Sequence, residues 1–280
     1  MSKYFIKGNP QFCAIAPTAY LEEYATQSNT HLVLAHLVAT DPIYTQFYRE
    51  MSERGDLIIL DNSAFELGES FTPAMLIELG HKVLAHAIVC PDYPYQAASV
   101  TIDAARQWIP LFKQEGFDVF FVPQSNVGDL EDWIHCYDWA SDNPNIDIIG
   151  MSILGIPNAL PNVPKSYARV VMTELLRDRG VFNDDKYHHY LGSNAAINVE
   201  IPSLILRGCL DSCDSSNPIW CGINAIKYNT IYSDYMGIQK KYLREVDFNE
   251  KYTKKDHIHE IIQHNLDVTL DIFADPSKYL

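Results

Sequence analysis

The chain lacks long apolar runs. No segment approaches about 18 consecutive apolar residues, so the sequence predicts no membrane-spanning helix. The start of the chain, Met-Ser-Lys-Tyr-Phe-Ile-Lys-Gly, lacks the apolar core of a signal peptide. We therefore expect a soluble, cytoplasmic protein without membrane contact.

Several common catalytic and structural signatures are also missing. The absence of Gly-x-Ser-x-Gly, a Walker loop and His-Glu-x-x-His argues against the commonest hydrolases, nucleotide triphosphatases and zinc proteases. A chain of 280 residues can bury a full core without disulfides, so we expect its six cysteines to be reduced and buried. A zinc cluster of Cys209, Cys213 and Cys221 is the alternative, but its spacings are untypical. We predict no metal and no cofactor.

Positive charge is scarce, with 21 Lys and Arg against 36 Asp and Glu and a net charge of −15. This balance argues against indiscriminate nucleic-acid binding. The stretch 227–255 is the exception, because it carries seven basic and four acidic residues and leaves −18 for the rest of the chain. We interpret it as a candidate track for a nucleic-acid backbone, a solvated basic surface being the alternative. Its basic residues are Lys227, Lys240, Lys241, Arg244, Lys251, Lys254 and Lys255.

What the sequence does contain is a repeated unit of apolar run and polar end. The runs end at Asp61, Asp92, Gln124 and Gly150, at spacings of 31, 32 and 26 residues. Such spacings suit one strand and one returning helix per unit. Eight candidate strands predict an α/β fold, a (β/α)8 TIM-type barrel, and an open doubly wound sheet is the rival.

The predicted elements fill one domain over 1–280, with 223–280 as a C-terminal extension packed on the barrel. We expect an ordered Pro-rich loop over 155–164 and an amphipathic helix over 256–273. The predicted strands cover 11–17, 31–38, 57–61, 87–92, 118–124, 146–152, 187–192 and 204–210.

Polar residues at the strand ends predict the functional site, since ligands of parallel α/β folds bind there. Asp61, Asp92 and an acid near 211–214, with Gln124 beside them, could hold a divalent metal or act as acid, base and nucleophile. Metal is the weaker interpretation, because no two of these acids have a known metal-loop spacing. Taken alone, Asp61 is as well explained as a helix cap.

In order along the chain, these strand ends resemble motifs of the tRNA-guanine transglycosylase superfamily. Asp61-Asn-Ser-Ala-Phe65-Glu resembles the family's Asp-Ser-Gly-Gly-Phe/Tyr-Gln. Asp92-Tyr-Pro resembles its Asp-Glu-Cys-Thr-Pro, and Val122-Pro-Gln124 its Val-Gln-Gly.

Three later segments continue the resemblance, which runs from about residue 11 to 222. Gly150-Met-Ser-Ile-Leu-Gly155 is similar to Gly-Gly-Leu-Ala-Val-Gly, and His189-Tyr-Leu191-Gly192 to Tyr-Leu-Met-Gly. The segment 207–218 is similar to Arg-Gly-Ile-Asp-Met-Phe-Asp-Cys-Val-Leu-Pro if one residue is inserted. The family's Cys-x-Cys-x2-Cys zinc motif for tRNA is missing, so the likeness is nearest to the bacterial and phage enzymes that insert 7-deazaguanines into DNA. A phage-encoded enzyme would act in the host cytoplasm.

The resemblance implies roles for the acids and for Gln124. Asp214 would attack the sugar C1′ and expel guanine, with Asp211 as the alternative nucleophile. Asp61 would be the general acid and base for the departing and arriving bases. Asp92 and Gln124 would hydrogen-bond the guanine-like edge of the base.

The resemblance also implies a pocket for a flat base. Phe65 and Leu191 would sandwich it, with Gly192 beside them, and the backbone of Gly150 and Met151 would close the far side. The implied activity is exchange of guanine for a 7-deazaguanine such as 7-cyano-7-deazaguanine in DNA. Exchange in tRNA and a noncatalytic barrel that binds purine bases or nucleosides are the alternatives. A partner protein that assists nucleic-acid binding stays an open expectation.

Overall fold

Eight parallel strands form the centre of the protein in a computed structural model, which describes residues 4–193, 197–228, 246–250 and 256–279. The strands are β1 Gln11–Ala14, β2 Thr30–Leu34, β3 Leu57–Asp61, β4 Ala87–Val89, β5 Asp118–Phe121, β6 Ile148–Gly150, β7 Tyr187–Tyr190 and β8 Ser212–Ser215. They pair in the order β1-β8-β7-β6-β5-β4-β3-β2 and form a nearly closed barrel. The predicted (β/α)8 TIM-type fold is confirmed.

Helices surround the barrel. In chain order they are α1 Leu21–Tyr24, α2 Ala35–Thr40, α3 Pro42–Arg54, α4 Ala64–Leu67, α5 Pro73–Lys82, α6 Ala98–Gln114, α7 Leu130–Asp142, α8 Gly155–Ala159, α9 Lys165–Asp178, α10 Ile197–Leu206, α11 Asn217–Ile223 and α12 Asp256–Ala274. Short 3-10 turns cover Thr18–Tyr20, Ala25–Gln27 and Pro276–Tyr279. Within the described ranges, none of these helices combines the length and the apolar character that crossing a membrane needs.

Helix α3 shows how local sequence sets the boundaries. The Asp41 carboxylate accepts hydrogen bonds from the backbone N–H groups of Ile43 and Tyr44 at 2.9 and 3.2 Å, which caps the helix. Pro42 occupies the first turn, where its missing N–H does no harm. The helix ends at Gly55, whose φ of 106° is open to glycine at no steric cost.

Strand β3 explains why its terminal acid lies at the rim. Ile58, Ile59 and Leu60 are fully buried, as expected for a parallel strand covered on both faces. Asp61 is the last residue of the strand and is only half-buried. The apolar run therefore ends where the strand leaves the core.

Two strand predictions are wrong. The run 31–38 leaves the sheet at Leu34, and α2 begins at Ala35. The run 204–210 is the end of α10 and the turn after it, and the eighth strand is the polar segment Ser212–Ser215. Both errors arise because a short apolar run is equally compatible with a buried strand and a buried helix.

The segment 155–164 is only partly a loop, because Gly155–Ala159 forms α8. Pro157 is the third residue of this helix, where a backbone N–H would lack an intrahelical partner in any case. The Ser152 hydroxyl accepts from the N–H groups of Leu154 and Gly155 at 3.1 and 3.0 Å, which supports the start of the helix.

The predicted C-terminal helix is confirmed as α12, and it packs against the segment that follows β8. The side-chain amide of Asn265 donates to the carbonyl oxygens of Pro218 and Ile226 at 3.0 Å each. The ring of Phe273 lies 5.6 Å from that of Phe12 in β1. These contacts bind α12 to both the first strand and the segment around α11.

Candidate functional site

The carboxyl ends of the strands gather the predicted polar residues at one end of the barrel. Asp61 is the last residue of β3, and Asp214 is the third residue of β8. Asp92 and Gln124 each follow their strand by three residues. Since all eight strands run in the same direction, these residues share the barrel's carboxyl end, here called the mouth.

Asp92 is the centre of a hydrogen-bonded chain across three neighbouring strand ends. Asn62 donates to the Cys90 carbonyl at 2.9 Å and to Asp92 Oδ1 at 2.8 Å. Gln124 Nε2 donates to Asp92 Oδ2 at 2.6 Å. Burial raises the pKa of Asp92, and the two amide donors oppose that rise.

The other amide atom of Gln124 is an unused acceptor. Its Oε1 is buried and has no hydrogen-bond partner among the described residues. A buried polar atom without a partner is costly, and such atoms occur where a ligand supplies the missing bond. Beside the Asp92 carboxylate, Gln124 Oε1 could therefore accept from an N–H or amino group of a ligand.

Asp61 is fixed by a strained turn at the end of β3. The backbone N–H of Ser63 donates to Asp61 Oδ2 at 2.8 Å, and Ser63 holds a left-handed φ of 58°. The Ser63 hydroxyl in turn accepts from the backbone N–H of His36 at 3.1 Å. Left-handed non-glycine residues are costly and concentrate at functional sites.

The Asp61 carboxyl is set up to hold a proton. Loss of surrounding water raises its pKa well above the usual range for aspartate, and the nearby Glu66 carboxylate raises it further. The Ser63 N–H opposes this, while the charges of Asp214 and Asp92 add to it. Asp92 and Asp214, although distant from Asp61 in sequence, thus lie close enough for their charges to raise its pKa.

Asp214 is held by two donors that both reach Oδ1. His189 Nε2 lies 3.0 Å away and the Gly192 backbone N–H donates at 2.8 Å. Ser212 Oγ lies 2.6 Å from His189 Nδ1, so both ring nitrogens of His189 have hydrogen-bond partners. Among the described residues no hydrogen bond reaches Asp214 Oδ2, which leaves this oxygen available for a ligand.

Asp211 occupies the opposite end of β8. Its Oδ2 accepts from the His188 backbone N–H at 2.8 Å and lies 3.3 Å from Lys7 Nζ, and its carbonyl accepts from the N–H of Gln11. Three residues along a strand span about 10 Å, so Asp211 is far from the mouth. Of the two candidate nucleophiles, only Asp214 lies with Asp61 and Asp92.

The residues predicted to enclose a base occupy different surroundings. Phe65, in α4, is 75% exposed at the mouth. A Cβ built on Gly150 would lie 3.0 Å from Leu191 Cδ1 and 2.5 Å from Phe120 Cε2, so only glycine fits there. Leu191 therefore packs directly over Gly150.

The backbone of Met151 is already engaged. Its N–H donates to the His189 carbonyl at 2.8 Å, and its carbonyl accepts from Arg169 at 3.2 Å. Met151 can thus form a wall of the site, but its polar groups are committed to the protein.

His189 is the site residue that sequence reasoning missed. The resemblance assigns it no role, although the sequence of its strand carries a usable signal. Alternation in Tyr187-His-His-Tyr190 sends His188 and His189 to opposite faces of the sheet. His188 contacts Tyr137 in α7 and Phe182 in the loop after α9, whereas His189 contacts Phe120, Ser212 and Asp214.

The predicted nucleic-acid track is described only in part. Lys227 is exposed, and Lys240, Lys241, Arg244, Lys251, Lys254 and Lys255 lie outside the described residues. Within 246–250, the Phe248 carbonyl accepts from the Thr18 N–H at 3.1 Å, and its ring packs edge-on against His36 at 6.1 Å. Thr18 and His36 follow β1 and β2, so this part of the segment lies at the mouth.

The opposite end of the barrel holds a cavity of about 590 Å³, lined by residues that include Gln11, Ser28, Arg54 and Asp56. Its carboxylate, Asp56, is already bonded to His31 and Arg54. The cavity does not contact the acids of the mouth, so we place the chemistry at the mouth.

The described residues do not form a metal site. The six cysteines are free and buried. In the part of the chain that the structure describes, no group of three or more His, Cys, Asp or Glu side chains could hold a metal ion.

No model of a protein family matches the chain, and no curated protein matches it significantly.

Proposed function

We propose that this protein is a guanine transglycosylase, a pentosyltransferase that exchanges guanine for a 7-deazaguanine base in DNA. The observation that carries the proposal is the shared site of Asp61 and Asp214 beside the Asp92–Gln124 pair. The Asp61 carboxyl has a raised pKa, and no hydrogen bond from the described residues reaches Asp214 Oδ2. Base exchange by double displacement needs both a proton donor and a nucleophile.

In the first step, Asp214 Oδ2 forms a bond to the sugar C1′ as the bond from C1′ to the guanine nitrogen breaks. The leaving base takes the bonding electron pair and receives a proton from Asp61. In the second step, the Asp61 carboxylate takes a proton from the incoming base, whose nitrogen attacks C1′ and releases Asp214. Both displacements occur at C1′, so the configuration of the sugar is retained.

The Asp92–Gln124 pair supports a guanine-like ligand. Guanine and 7-deazaguanine present a ring N–H next to an exocyclic amine, and a carboxylate accepts from both. Gln124 Oε1 adds an acceptor that has no partner among the described residues. The exposed Phe65 could cover one flat face of the base.

The acceptor requires a base turned out of its duplex, and the phosphate backbone must then be held nearby. The segment around Phe248 supports this, because it joins the basic stretch 227–255 to the mouth through Thr18 and His36. The rest of the protein is acidic, so we expect binding that weakens steeply with salt, or help from a partner protein.

The test is incubation of the protein with labelled guanine and either DNA or tRNA. We expect label in DNA, its chase by 7-cyano-7-deazaguanine, and loss of both in Asp214→Ala. Label in tRNA alone would shift the acceptor within the same chemistry. Tight binding of the free base without incorporation into either polymer would overturn the proposal in favour of a binding barrel.

A further inference from the structure

A fully buried ion pair lies behind the mouth and takes no direct part in the proposed reaction. Arg169 in α9 and Glu200 in α10 are both 0% exposed. Arg169 Nε donates to Glu200 Oε1 at 2.8 Å and Nη2 donates to Oε2 at 2.6 Å. Burial disfavours the Arg169 cation, but the Glu200 carboxylate outweighs it and raises the pKa of Arg169.

Such a pair contributes little to stability, because the desolvation of two charges offsets their attraction. Its remaining nitrogen suggests another role. Arg169 Nη1 donates to the carbonyl oxygens of Met151 at 3.2 Å and Leu191 at 3.0 Å. The guanidinium thus joins the segments that follow β6 and β7, over the ring of Tyr190 at 5.4 Å.

The bond to Leu191 leads directly to the candidate nucleophile. The Leu191 carbonyl and the Gly192 N–H are the two ends of one planar peptide unit. Arg169 donates to the carbonyl oxygen of that unit, and the Gly192 N–H at its other end donates to Asp214 Oδ1 at 2.8 Å. A cation at the oxygen polarises the peptide and strengthens its N–H as a donor.

The same peptide is sterically constrained on its other side. Gly192 has a left-handed φ of 70°, and a Cβ built on it would lie 3.0 Å from Ile153 Cγ2. The Leu191 carbonyl also accepts from the Ile153 N–H at 3.2 Å. Arg169 and Ile153 together leave the Gly192 N–H one direction, toward Asp214.

We infer that Arg169, held by Glu200, is a positioning residue that aims the Leu191–Gly192 peptide at Asp214 and so fixes the nucleophile. Its contribution to base exchange rests on the proposed function, whereas its control of the Gly192 hydrogen bond does not. Arg169 acts through this peptide and touches no reacting atom.

The test is the double variant Arg169→Met with Glu200→Met, which removes both buried charges and leaves neither unpaired. In the wild-type protein, Asp214→Asn should shift the NMR signal of the Gly192 amide proton. In the double variant that signal should move upfield and lose most of its response to Asp214→Asn. We expect kcat of exchange to fall about 10- to 100-fold, with KM for DNA nearly unchanged.

A matched control removes an exposed pair at the end of the same helix, Arg179→Met with Glu131→Met. Surface pairs contribute little, so neither the Gly192 signal nor kcat should change. If the buried double variant does not fold, Arg169→Lys is measured in the same way, because it keeps the charge but loses the paired hydrogen bonds of the guanidinium.

An unchanged Gly192 signal in a folded variant would overturn the inference, whether or not the protein exchanges bases. A changed signal with unchanged kcat in an active enzyme would overturn the role in exchange. If the wild-type protein exchanges no base, the NMR arm still decides the positioning, so the two failures are distinguishable.

Discussion

His189 and Asp214 form a buried pair in which Nε2 lies 3.0 Å from Oδ1, and Ser212 Oγ lies 2.6 Å from the other ring nitrogen. Two side chains from adjacent strands, His189 in β7 and Ser212 in β8, therefore define where the Asp214 carboxylate points. With the Gly192 N–H on the same oxygen, Oδ2 is left to face a ligand.

Replacing His189 by Gln should slow exchange without unfolding the protein. The amide cannot donate to Asp214 and accept from Ser212 in the same geometry as the ring, so we expect kcat to fall about 10- to 100-fold. The matched control is His188→Gln, since His188 is equally buried but bonds Tyr137 on the other face of the sheet. That variant should lose thermal stability and keep its kcat. Equal kcat values for the two variants would contradict the role of His189.

Asp61→Asn should abolish exchange and stabilise the protein in a pH-dependent way. The folded-state pKa of Asp61 is raised, so the stability that its proton contributes is present at low pH and is lost as pH rises toward that pKa. Asparagine does not titrate, so the free energy of unfolding of the variant should exceed that of the wild type by an amount that grows above about pH 3.9. Urea unfolding across a pH series measures this. A difference that shrinks with rising pH would contradict the raised pKa.

Gly150→Ala should destabilise the protein and disturb the base pocket. The added methyl would lie 2.5 Å from Phe120 Cε2, and overpacking of this kind costs about 1–3 kcal/mol. Adding Phe120→Leu should relieve the overlap, so a double-mutant cycle of unfolding free energies should show favourable coupling. If the two changes in unfolding free energy simply add, the overlap between the new methyl group and Phe120 is relieved by movement of other residues.

Phe65→Ala should weaken binding of the base and leave the fold unchanged. The ring is 75% exposed, so it contributes little to the core, while stacking on a base is worth about 1–3 kcal/mol. We expect KM for the free base to rise and the unfolding midpoint to stay constant. Ile6→Ala is the control, because Ile6 is 76% exposed and its neighbours Phe5 and Lys7 contact the amino end of the barrel. A KM unchanged in Phe65→Ala would remove Phe65 from the site.

Much of the fold follows from local sequence. The apolar run before Asp61 is buried on both faces, and Asp41, Pro42 and Gly55 set the bounds of α3. The eighth strand could not be found in this way. Ser212–Ser215 has no apolar pattern, and its polar side chains are satisfied by partners such as His189, which only the assembled barrel supplies.

The candidate site, too, could be predicted only in part from local sequence. Strand ends pointed to Asp61, Asp92 and Gln124, but the choice between Asp211 and Asp214 depended on where β8 begins. Arg169 and Glu200 gave no sequence signal. They lie 31 positions apart in different helices, and a bond between such residues leaves no local pattern in the sequence. A residue whose role is to position another residue can be recognised only from the tertiary contacts.

Trapping the covalent glycosyl-enzyme intermediate decides whether Asp214 is the nucleophile. The protein is mixed with guanine-containing DNA without an incoming base and denatured, and the covalent protein–DNA species is mapped by mass spectrometry. We predict a glycosyl ester on Asp214 that is absent in Asp214→Asn, persists in Asp211→Asn and disappears when 7-cyano-7-deazaguanine is added. An adduct on any other residue, or DNA exchange that proceeds undiminished in Asp214→Asn, would contradict it.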